Sequence, residues 1–399
     1  MQISLYKIRY TLLWCLAFTF FISITIFEAF VVIYLLVLLY DEIKNKNLKG
    51  ILTAPIFTYI TPGLISSILF NISKINHAIE ELAFMLLYLA KNYLDIDYLA
   101  FAKKINLYFC LIGIPLTIVG LYNIKLKGYE MLLFGGAFDS GFIFSMIAFS
   151  SIGIFLYKKD WKRFLFLGLF LVYTLMVVLS TKRSDLLGFL AGLSVFLSAS
   201  LGSYSKKLVL SILTASVLVL SIGGFYVFRK DPRFDVIVKI LKHEQVTTKE
   251  LNTVSSLRYK IMIHAFRVID KDIQNKNILA ILIGHGVRSG LKLDPKLGLE
   301  KFESFEAISE YIEKGLIGLI GLIWFYWRVL KFSFSLKAFK QEDFLFIPFV
   351  ATMVYQLFGS LFTFFWSLYL PLILLLFGIA ENWFLKQPLS ENEMRRAAL

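Results

Sequence analysis

The sequence predicts an all-α, polytopic integral membrane protein with about 12 transmembrane helices and a large periplasmic loop containing helices. Hydrophobic residues make up 58% of the 399 residues and the mean hydropathy is +0.72, a more apolar composition than soluble domains usually have. Apolar stretches long enough for a helix to cross a bilayer recur along the chain. Since lipid offers the backbone no hydrogen bonds, each crossing must be helical.

The apolar stretches divide the chain into four parts. Residues 1–228 would hold transmembrane helices 1–9, 229–313 the periplasmic loop domain, 314–385 transmembrane helices 10–12, and 386–399 a cytoplasmic tail. The first two spans are either separate crossings or one helix broken at Glu28. The expected spans are 11–27, 29–40, 51–68, 77–95, 105–123, 140–157, 163–180, 185–201, 207–228, 314–331, 344–362 and 366–384.

The basic residues indicate the orientation. With a cytoplasmic N-terminus, the inside segments carry 21 Lys and Arg residues and the short outside loops carry five, as the positive-inside rule requires. This distribution explains the net charge of +14 without nucleic-acid binding. We therefore expect a multi-pass protein of a bacterial inner (cytoplasmic) membrane, with its large loop facing the periplasm. The five outside residues are Lys74, Lys125, Lys127, Lys182 and Arg183.

Several kinds of site are not expected. Cys15 and Cys110 both fall inside apolar spans, which argues against a disulfide and a cysteine metal site. The histidines have no partner at metal or triad spacing. No Walker lysine loop or dinucleotide fingerprint occurs, so an ATP-driven pump is not expected either.

The segment Thr181–Asp185 is a short turn between two spans, on the predicted outer side. The positive-inside rule disfavours Lys182 and Arg183 there. They could be basic side chains that reach from the interface to water. Alternatively, Arg183 contributes to an anion site, because its planar guanidinium matches phosphate oxygens, with Asp185 orienting it.

A second basic segment, 255–260, opens an amphipathic stretch of the large loop. Ser255 and Ser256 are typical helix N-caps, and Arg258 follows them. The stretch is either a solvated helical face that exposes Arg258, Lys260 and Arg267, or the source of a second arginine for the anion site.

Three glycines lie within the seven residues 284–290, where His285 and Arg288 separate them. Such a segment is either a plain loop or a turn whose amides point at an anion. The second interpretation makes Gly284, Gly286 and the side chains between them candidates for substrate binding.

Four glutamates precede the tenth span at three- and four-residue spacing, which would place them on one helical face. They form either a solvated acidic face or a general base whose pKa is raised by like-charged neighbours. The four are Glu303, Glu306, Glu310 and Glu313.

Taken in order, these motifs resemble the O-antigen polymerase and O-antigen ligase superfamily. The resemblance covers about residues 130–330, and the chain length, the number of spans and the late large loop also fit. The motifs are a Thr-x-Arg-Ser turn at Thr181–Ser184, Arg258 at the start of a helical stretch, a Gly-x-Gly turn at Gly284 and Gly286, and Gly-Leu-Ile-Gly-Leu-Ile at 315–320.

The resemblance implies a metal-independent glycosyltransferase with a GT-C type membrane fold, no cofactor and an active site that faces the periplasm. Its donor would be a glycan on undecaprenyl diphosphate, and its acceptor another glycan or lipid A-core. Arg183 and Arg258 would hold the diphosphate and stabilise it as a leaving group. Membrane lipids would surround the enzyme, and a chain-length regulator as partner is left open. We expect the remaining donor and glycan contacts from Lys182, Gly284, His285, Gly286, Arg288, Glu306 and Glu310.

One departure from the family pattern bears on the reaction. The ligase branch carries a histidine about ten residues before the glycine that corresponds to Gly315, whereas this sequence has Glu303 and Ser304 there. The departure leaves Glu303 as a substitute catalytic base and slightly favours a polymerase over a ligase.

Two other classes compete with the glycosyltransferase. A transporter or flippase for lipid-linked sugars would need charges deep within spans, and the sequence places Glu28, Glu80 and Glu81 only at predicted ends. A non-catalytic membrane scaffold would tolerate any change at Arg183 that preserves stability.

Overall fold

In the residues that the computed structural model describes, every regular element is a helix. The described ranges are 5–45, 47–127, 137–180, 182–200, 233–361 and 369–386, with single residues between 212 and 221. Thr181, most of the predicted span 207–228 and the tail after Lys386 lie outside them.

The structure describes the bounds of eight helices before the large loop, α1 to α8. Several end at turns containing Lys or Asn, and the break between α1 and α2 lies at residues 20–23. The first two spans are therefore separate helices, and Glu28 lies inside the second one rather than at a break. The eight are Leu5–Thr19, Ile24–Asn45, Thr53–Phe70, Ile75–Leu86, Tyr98–Lys127, Ala137–Tyr157, Arg163–Leu179 and Arg183–Ser200.

The loop and the C-terminal part contribute α9 to α16. Short 3-10 helices at Ile72–Lys74, Leu87–Tyr93 and Gln341–Leu345 complete the regular structure of the described residues. The eight helices are Arg233–Leu241, Thr248–Val254, Arg258–Gln274, Ile278–Ile283, Gly290–Leu293, Glu306–Ser335, Ile347–Ser360 and Leu370–Lys386.

In the part of the chain that the structure describes, five helices are long and apolar enough to cross a membrane, namely α2, α3, α5, α6 and α14. All five overlap predicted spans, and the shorter apolar helices α7 and α15 overlap two others. Large apolar side chains on the outward faces of α2 and α5, such as Leu36 (63% exposed) and Ile118 (65% exposed), are typical of contact with lipid. The protein is thus a helical membrane protein.

The core lies where α6, α15 and α16 meet, since nearly every side chain of these helices is buried. Around it α8 packs on α15, α7 packs on α6, and α3 packs on α14. The loop has a small apolar core of its own, in which Ile261 and Ala265 of α11 meet Phe302 and Ile312. Because Ile312 belongs to α14, this core attaches the loop to the N-terminal end of that helix.

The helix α14 begins at Glu306, eight residues before the predicted span. Its backbone is interrupted at Gly315, whose φ of +67° is not helical. The last residues assigned to the loop therefore form a separate helical turn that continues into the span at an angle.

Candidate functional site

Arg183 and Arg258 line one cavity of about 560 Å³. Arg183 is the first residue of α8 and Arg258 the first of α11, so two helix starts meet here. Arg183 Nη2 donates a hydrogen bond of 2.5 Å to the carbonyl oxygen of Val254, at the end of α10. This bond ties the turn before α8 to the loop segment that precedes Arg258.

The rest of the cavity wall is mainly apolar. Leu187 comes from α8, Met262 from α11, and Phe305 and Ile308 from the start of α14. A concave site with a few cations on an apolar surface suits an amphiphilic anion. Guanidinium groups are well matched to phosphate oxygens because they offer a planar fork of donors.

The backbone before Arg258 has an unusual conformation that sets the start of α11. Ser256 and Leu257 both have positive φ, at +53° and +67°, which L residues seldom adopt. The predicted serine cap is present in modified form, because Ser255 Oγ accepts a hydrogen bond of 3.1 Å from the Tyr259 amide. Two successive left-handed residues thus turn the chain into the helix just where Arg258 meets the cavity.

Asp185 and Lys182, which lie close to Arg183 in sequence, do not line the cavity. Asp185 is buried, accepts a hydrogen bond of 3.2 Å from Ser180 Oγ, and lies against Gly141 of α6. A Cβ at Gly141 would lie 1.7 Å from Asp185 Oδ2, so this glycine is needed for the contact between α6 and α8. Lys182 is half-buried and is not one of the residues that line the cavity.

The glycine turn does not face an anion, contrary to that interpretation of the sequence. The amide of Gly284 donates to Ala280, that of His285 to Ile312 at 2.8 Å, and that of Gly286 to Glu313 at 3.0 Å. The Gly284 bond closes the end of α12, and the other two bonds hold the turn to α14. The turn therefore works as a structural contact and presents none of these three amides to a ligand.

Two glycines make this contact possible, because each lies against the backbone of the other segment. A Cβ on Gly284 would lie 2.4 Å from the backbone of Glu313, and a Cβ on Gly315 would lie 2.4 Å from the Leu282 and Ile283 backbone. Both also have positive φ, +81° and +67°, which glycine adopts without strain. The loop and α14 therefore touch backbone to backbone.

The side chains of the turn pair with acidic residues outside the cavity. His285 Nε2 lies 2.7 Å from Asp272 Oδ2, and Arg288 Nη1 lies 3.2 Å from Glu300 Oε2. Glu300 also accepts a hydrogen bond of 2.6 Å from Lys74. That hydrogen bond, together with the Arg288 charge, holds the pKa of Glu300 below its ordinary value. His285 and Arg288 thus anchor the loop, and neither lines the arginine cavity.

The four glutamates do not form one solvated face. Glu303 is exposed and precedes α14, beside the cavity-lining Ser304. Glu306, Glu310 and Glu313 lie on α14 and are at most 2% exposed. The solvated-face interpretation is wrong for these three, because partners from other segments cover them.

Those partners define the buried ionic cluster, which joins four segments. Lys314 Nζ lies 3.0 Å from Glu81 Oε2 of α4 and also pairs with Glu310. Tyr59 of α3 donates a hydrogen bond of 2.8 Å to Glu310. Lys301 lies 3.5 Å from Glu81 and 3.4 Å from Glu313. In full, the cluster is Tyr59, Glu81, Lys301, Glu306, Glu310, Glu313 and Lys314.

Among the residues that the structure describes, the buried ionic cluster holds more carboxyl groups than cations. Its described members are four carboxyl groups and only two lysines. Burial alone would lower the pKa of Lys301, but the carboxylates of Glu313 and Glu81 outweigh it and raise that pKa. Sequence reasoning missed this cluster, although the two lysines that interrupt the acidic segment were a visible signal.

A comparison with known proteins gives one relative over nearly the whole chain. An uncharacterized protein of Aquifex aeolicus (strain VF5) is 32% identical over 383 residues, which cover 93% of this chain and 96% of that protein. The chain belongs to the family of that protein. No family model and no solved structure matches the chain.

Proposed function

We propose that this protein is a membrane glycosyltransferase that moves a glycan from a polyprenyl diphosphate, such as undecaprenyl diphosphate, to a sugar acceptor. In this proposal about 12 spans cross a bacterial inner membrane, and the arginine cavity faces the periplasm. The observation that carries the proposal is the meeting of Arg183 and Arg258 in one largely apolar cavity, although 75 positions separate them in sequence.

The cavity suits the chemistry of such a donor. A polyprenyl diphosphate gains negative charge on its phosphate oxygens as the glycosidic bond breaks and the electron pair leaves with it. Fixed guanidinium groups aimed at that charge lower the barrier, because they need not reorganise during the reaction. The apolar wall formed by Met262, Phe305 and Ile308 would accept the first isoprenoid units.

The acceptor hydroxyl must lose a proton as it attacks the sugar carbon. Glu303 is the proposed base, because it is exposed to solvent and precedes Ser304, which lines the cavity. The proton would pass from the hydroxyl to this carboxylate while the new glycosidic bond forms. Glu306 and Glu310, which belong to the buried ionic cluster, would support the site indirectly.

The test replaces the arginines one at a time. We expect Arg183→Ala and Arg258→Ala each to lower the rate of glycan transfer by about 100-fold or more, because each removes a charge that acts in the transition state. Arg267→Ala is the matched control, since Arg267 is exposed on the same helix as Arg258 and does not line the cavity. Transfer at the normal rate by both cavity variants would contradict the proposal.

Polymerase and ligase activity are distinguished by the acceptor. Reconstituted protein would receive undecaprenyl-diphosphate glycan together with either more of the same lipid or lipid A-core. We favour extension of the lipid-linked glycan, because the ligase-type histidine is replaced by Glu303 and Ser304. Transfer to lipid A-core alone would make the protein a ligase.

Transport of a lipid-linked sugar is the second candidate, and the buried ionic cluster favours it. Charged residues within spans are typical of transport pathways, and Glu310, Glu313 and Lys314 lie within α14. Movement of labelled lipid-linked glycan across the membrane without formation of a new glycosidic bond would support this candidate instead.

A further inference from the structure

A second polar pocket lies at the other end of α14. It has a volume of about 280 Å³, and Arg328 contributes to its wall. Arg328 follows the cavity residue Ile308 by 20 positions, which corresponds to about 30 Å along a helix. The pocket is therefore close to the opposite membrane surface, the cytoplasmic one if the charge bias sets the orientation.

The floor of this pocket is a buried ion pair. Lys91 and Glu381 pair with each other, and each side chain is only 1% exposed. Lys91 also donates a hydrogen bond of 2.8 Å to Tyr88, and the Ile51 amide donates one of 3.1 Å to Glu381. With these bonds the carboxylate is neutralised by its own partner, so it does not cancel the other cations of the pocket.

Side-chain amides hold the wall segments in place. Asn92 Nδ2 donates to the carbonyls of Asn47 at 2.8 Å and Lys49 at 2.9 Å, which fixes the segment between α2 and α3. Asn382 Nδ2 donates to the Lys91 carbonyl at 2.9 Å. Residues from three separate parts of the chain are thus fixed around the pocket, and a preformed pocket loses little entropy when a ligand enters.

Charge and exposure indicate the ligand. Once Lys91 is paired with Glu381, the pocket retains the positive charges of Lys49 and Arg328. Arg328 is half-buried and its Nε donates to the Ile51 carbonyl at 3.2 Å, which leaves the outer nitrogens of the guanidinium for another acceptor. Beside these cations, Leu385 (61% exposed) and Leu48 (51% exposed) offer an apolar surface.

We infer that this pocket binds the phosphate headgroup of an anionic phospholipid from the leaflet opposite the arginine cavity. Arg328 and Lys49 contact the phosphate oxygens, and the acyl chains run along the exposed leucines into the bilayer. Basic pockets between transmembrane helices are known places for such headgroups. This inference does not depend on the proposed glycosyltransferase activity, because none of its residues lines the arginine cavity.

The test measures lipid binding to the purified full-length protein in detergent, by native mass spectrometry and by thermal unfolding. The probes are dioleoyl phosphatidylglycerol, dioleoyl phosphatidylcholine and inorganic phosphate. We expect binding of phosphatidylglycerol in preference to phosphatidylcholine. The double variant Lys49→Gln, Arg328→Gln should bind phosphatidylglycerol about 30-fold more weakly, because each lost cation weakens binding about fivefold.

The control is Lys331→Gln, a change to an exposed lysine on the same helix that does not line the pocket. It should bind phosphatidylglycerol like the unmodified protein. Equal loss in the control and the double variant would overturn the inference, and so would equal binding of phosphatidylcholine. Stabilisation by inorganic phosphate alone, equal to that by phosphatidylglycerol, would overturn the assignment to a lipid. The single variants Lys49→Gln and Arg328→Gln replace the double variant if it does not fold.

Discussion

Single glycines determine how closely the loop approaches the membrane helices. At Gly284 and Gly315 the opposing atoms are backbone atoms of the other segment, 2.4 Å from where a Cβ would be. A flexible side chain could move away from an added methyl group, but these atoms can move only with their whole segment. The local sequence signal, glycines in a short segment, was therefore correct about special backbone and wrong about an anion.

We expect Gly315→Ala to destabilise the protein by about 3 kcal/mol or more, because it adds a backbone clash to a positive φ. Gly298→Ala is the matched control, since Gly298 has a similar φ of +71° but open space around it. It should cost only about 1–2 kcal/mol. The midpoints of thermal unfolding in detergent measure the difference. Equal midpoints for the two variants would show that the close contact at Gly315 does not contribute to stability.

Residue type predicted the positions of Arg183 and Arg258 better than helical spacing predicted that of Glu303. Their residue type and predicted side of the membrane suggested that they belong together, and they do line one cavity. Glu303, chosen by spacing from the tenth span, lies next to that cavity but outside its lining. Spacing along a helix could not place Glu303, because the helix begins three residues later.

At the scale of elements, the buried ionic cluster connects α3, α4, α14 and the loop. Periodicity correctly placed Glu306, Glu310 and Glu313 on one helix, but neither of its two interpretations, a solvated face or a general base, included a buried ionic cluster. The covering groups, Tyr59, Glu81 and Lys301, are distant in sequence from that face. Which side of an amphipathic helix is covered by a distant charge is a tertiary property, so a single sequence could not reveal it.

Because the described members of this cluster include more carboxyl groups than lysines, removing a lysine should destabilise the protein more than neutralising a carboxylate. We expect Lys314→Met to destabilise the protein by about 3–5 kcal/mol, because it removes the partner of two buried carboxylates. Glu81→Gln should cost less, because it brings the cluster closer to neutrality while keeping the shape of the side chain. Thermal unfolding of both variants tests this order, and the reverse order would contradict the charge count.

Docking of the loop onto the 3-10 helix at Ile72–Lys74 should depend on pH through Glu300. The folded protein holds the pKa of Glu300 below its ordinary value. The ionised carboxylate therefore contributes its full stabilisation at pH values above the pKa of the unfolded chain. That stabilisation is lost as the pH falls through the pKa of the folded protein. Hydrogen exchange of residues 290–300, corrected for its intrinsic pH dependence, should thus stay constant from pH 7 to about 5 and rise below about 4.

The variant Glu300→Gln provides the control for this pH dependence. It lacks the titrating carboxyl group, so its exchange should be faster at neutral pH and should show no further rise in acid. An identical pH profile for the variant and the unmodified protein would remove Glu300 as the cause.

At the scale of the whole molecule, hydropathy predicted where the helices lie, and the basic residues predicted their orientation in the membrane. Long apolar runs located the helices, because a helix satisfies its backbone hydrogen bonds within one segment and can therefore lie in lipid. Boundaries were less accurate wherever a helix continues beyond its apolar part, as α14 does from Glu306. The count of about 12 spans stays a prediction, since five helices of the described residues meet the length and hydropathy expected for a crossing.

The charge bias predicts which surface each loop occupies. A single cysteine placed at Lys271, exposed on α11, should react with a membrane-impermeant maleimide in intact cells. A cysteine at Lys159, exposed between α6 and α7, should react only after the membrane is opened. Both would be introduced after Cys15 and Cys110 are replaced by serine and alanine. The opposite labelling pattern would reverse the orientation.

Gly284 and Gly315 also limit which substitutions can accumulate during evolution. An enlarged side chain in a protein core can be compensated by a smaller side chain on the opposite side. At Gly284 and Gly315 that route is closed, because the opposing atoms are main chain, which no second substitution can shrink. In a saturation mutagenesis library both positions should therefore tolerate no other amino acid, with no second-site suppressor at the contact itself.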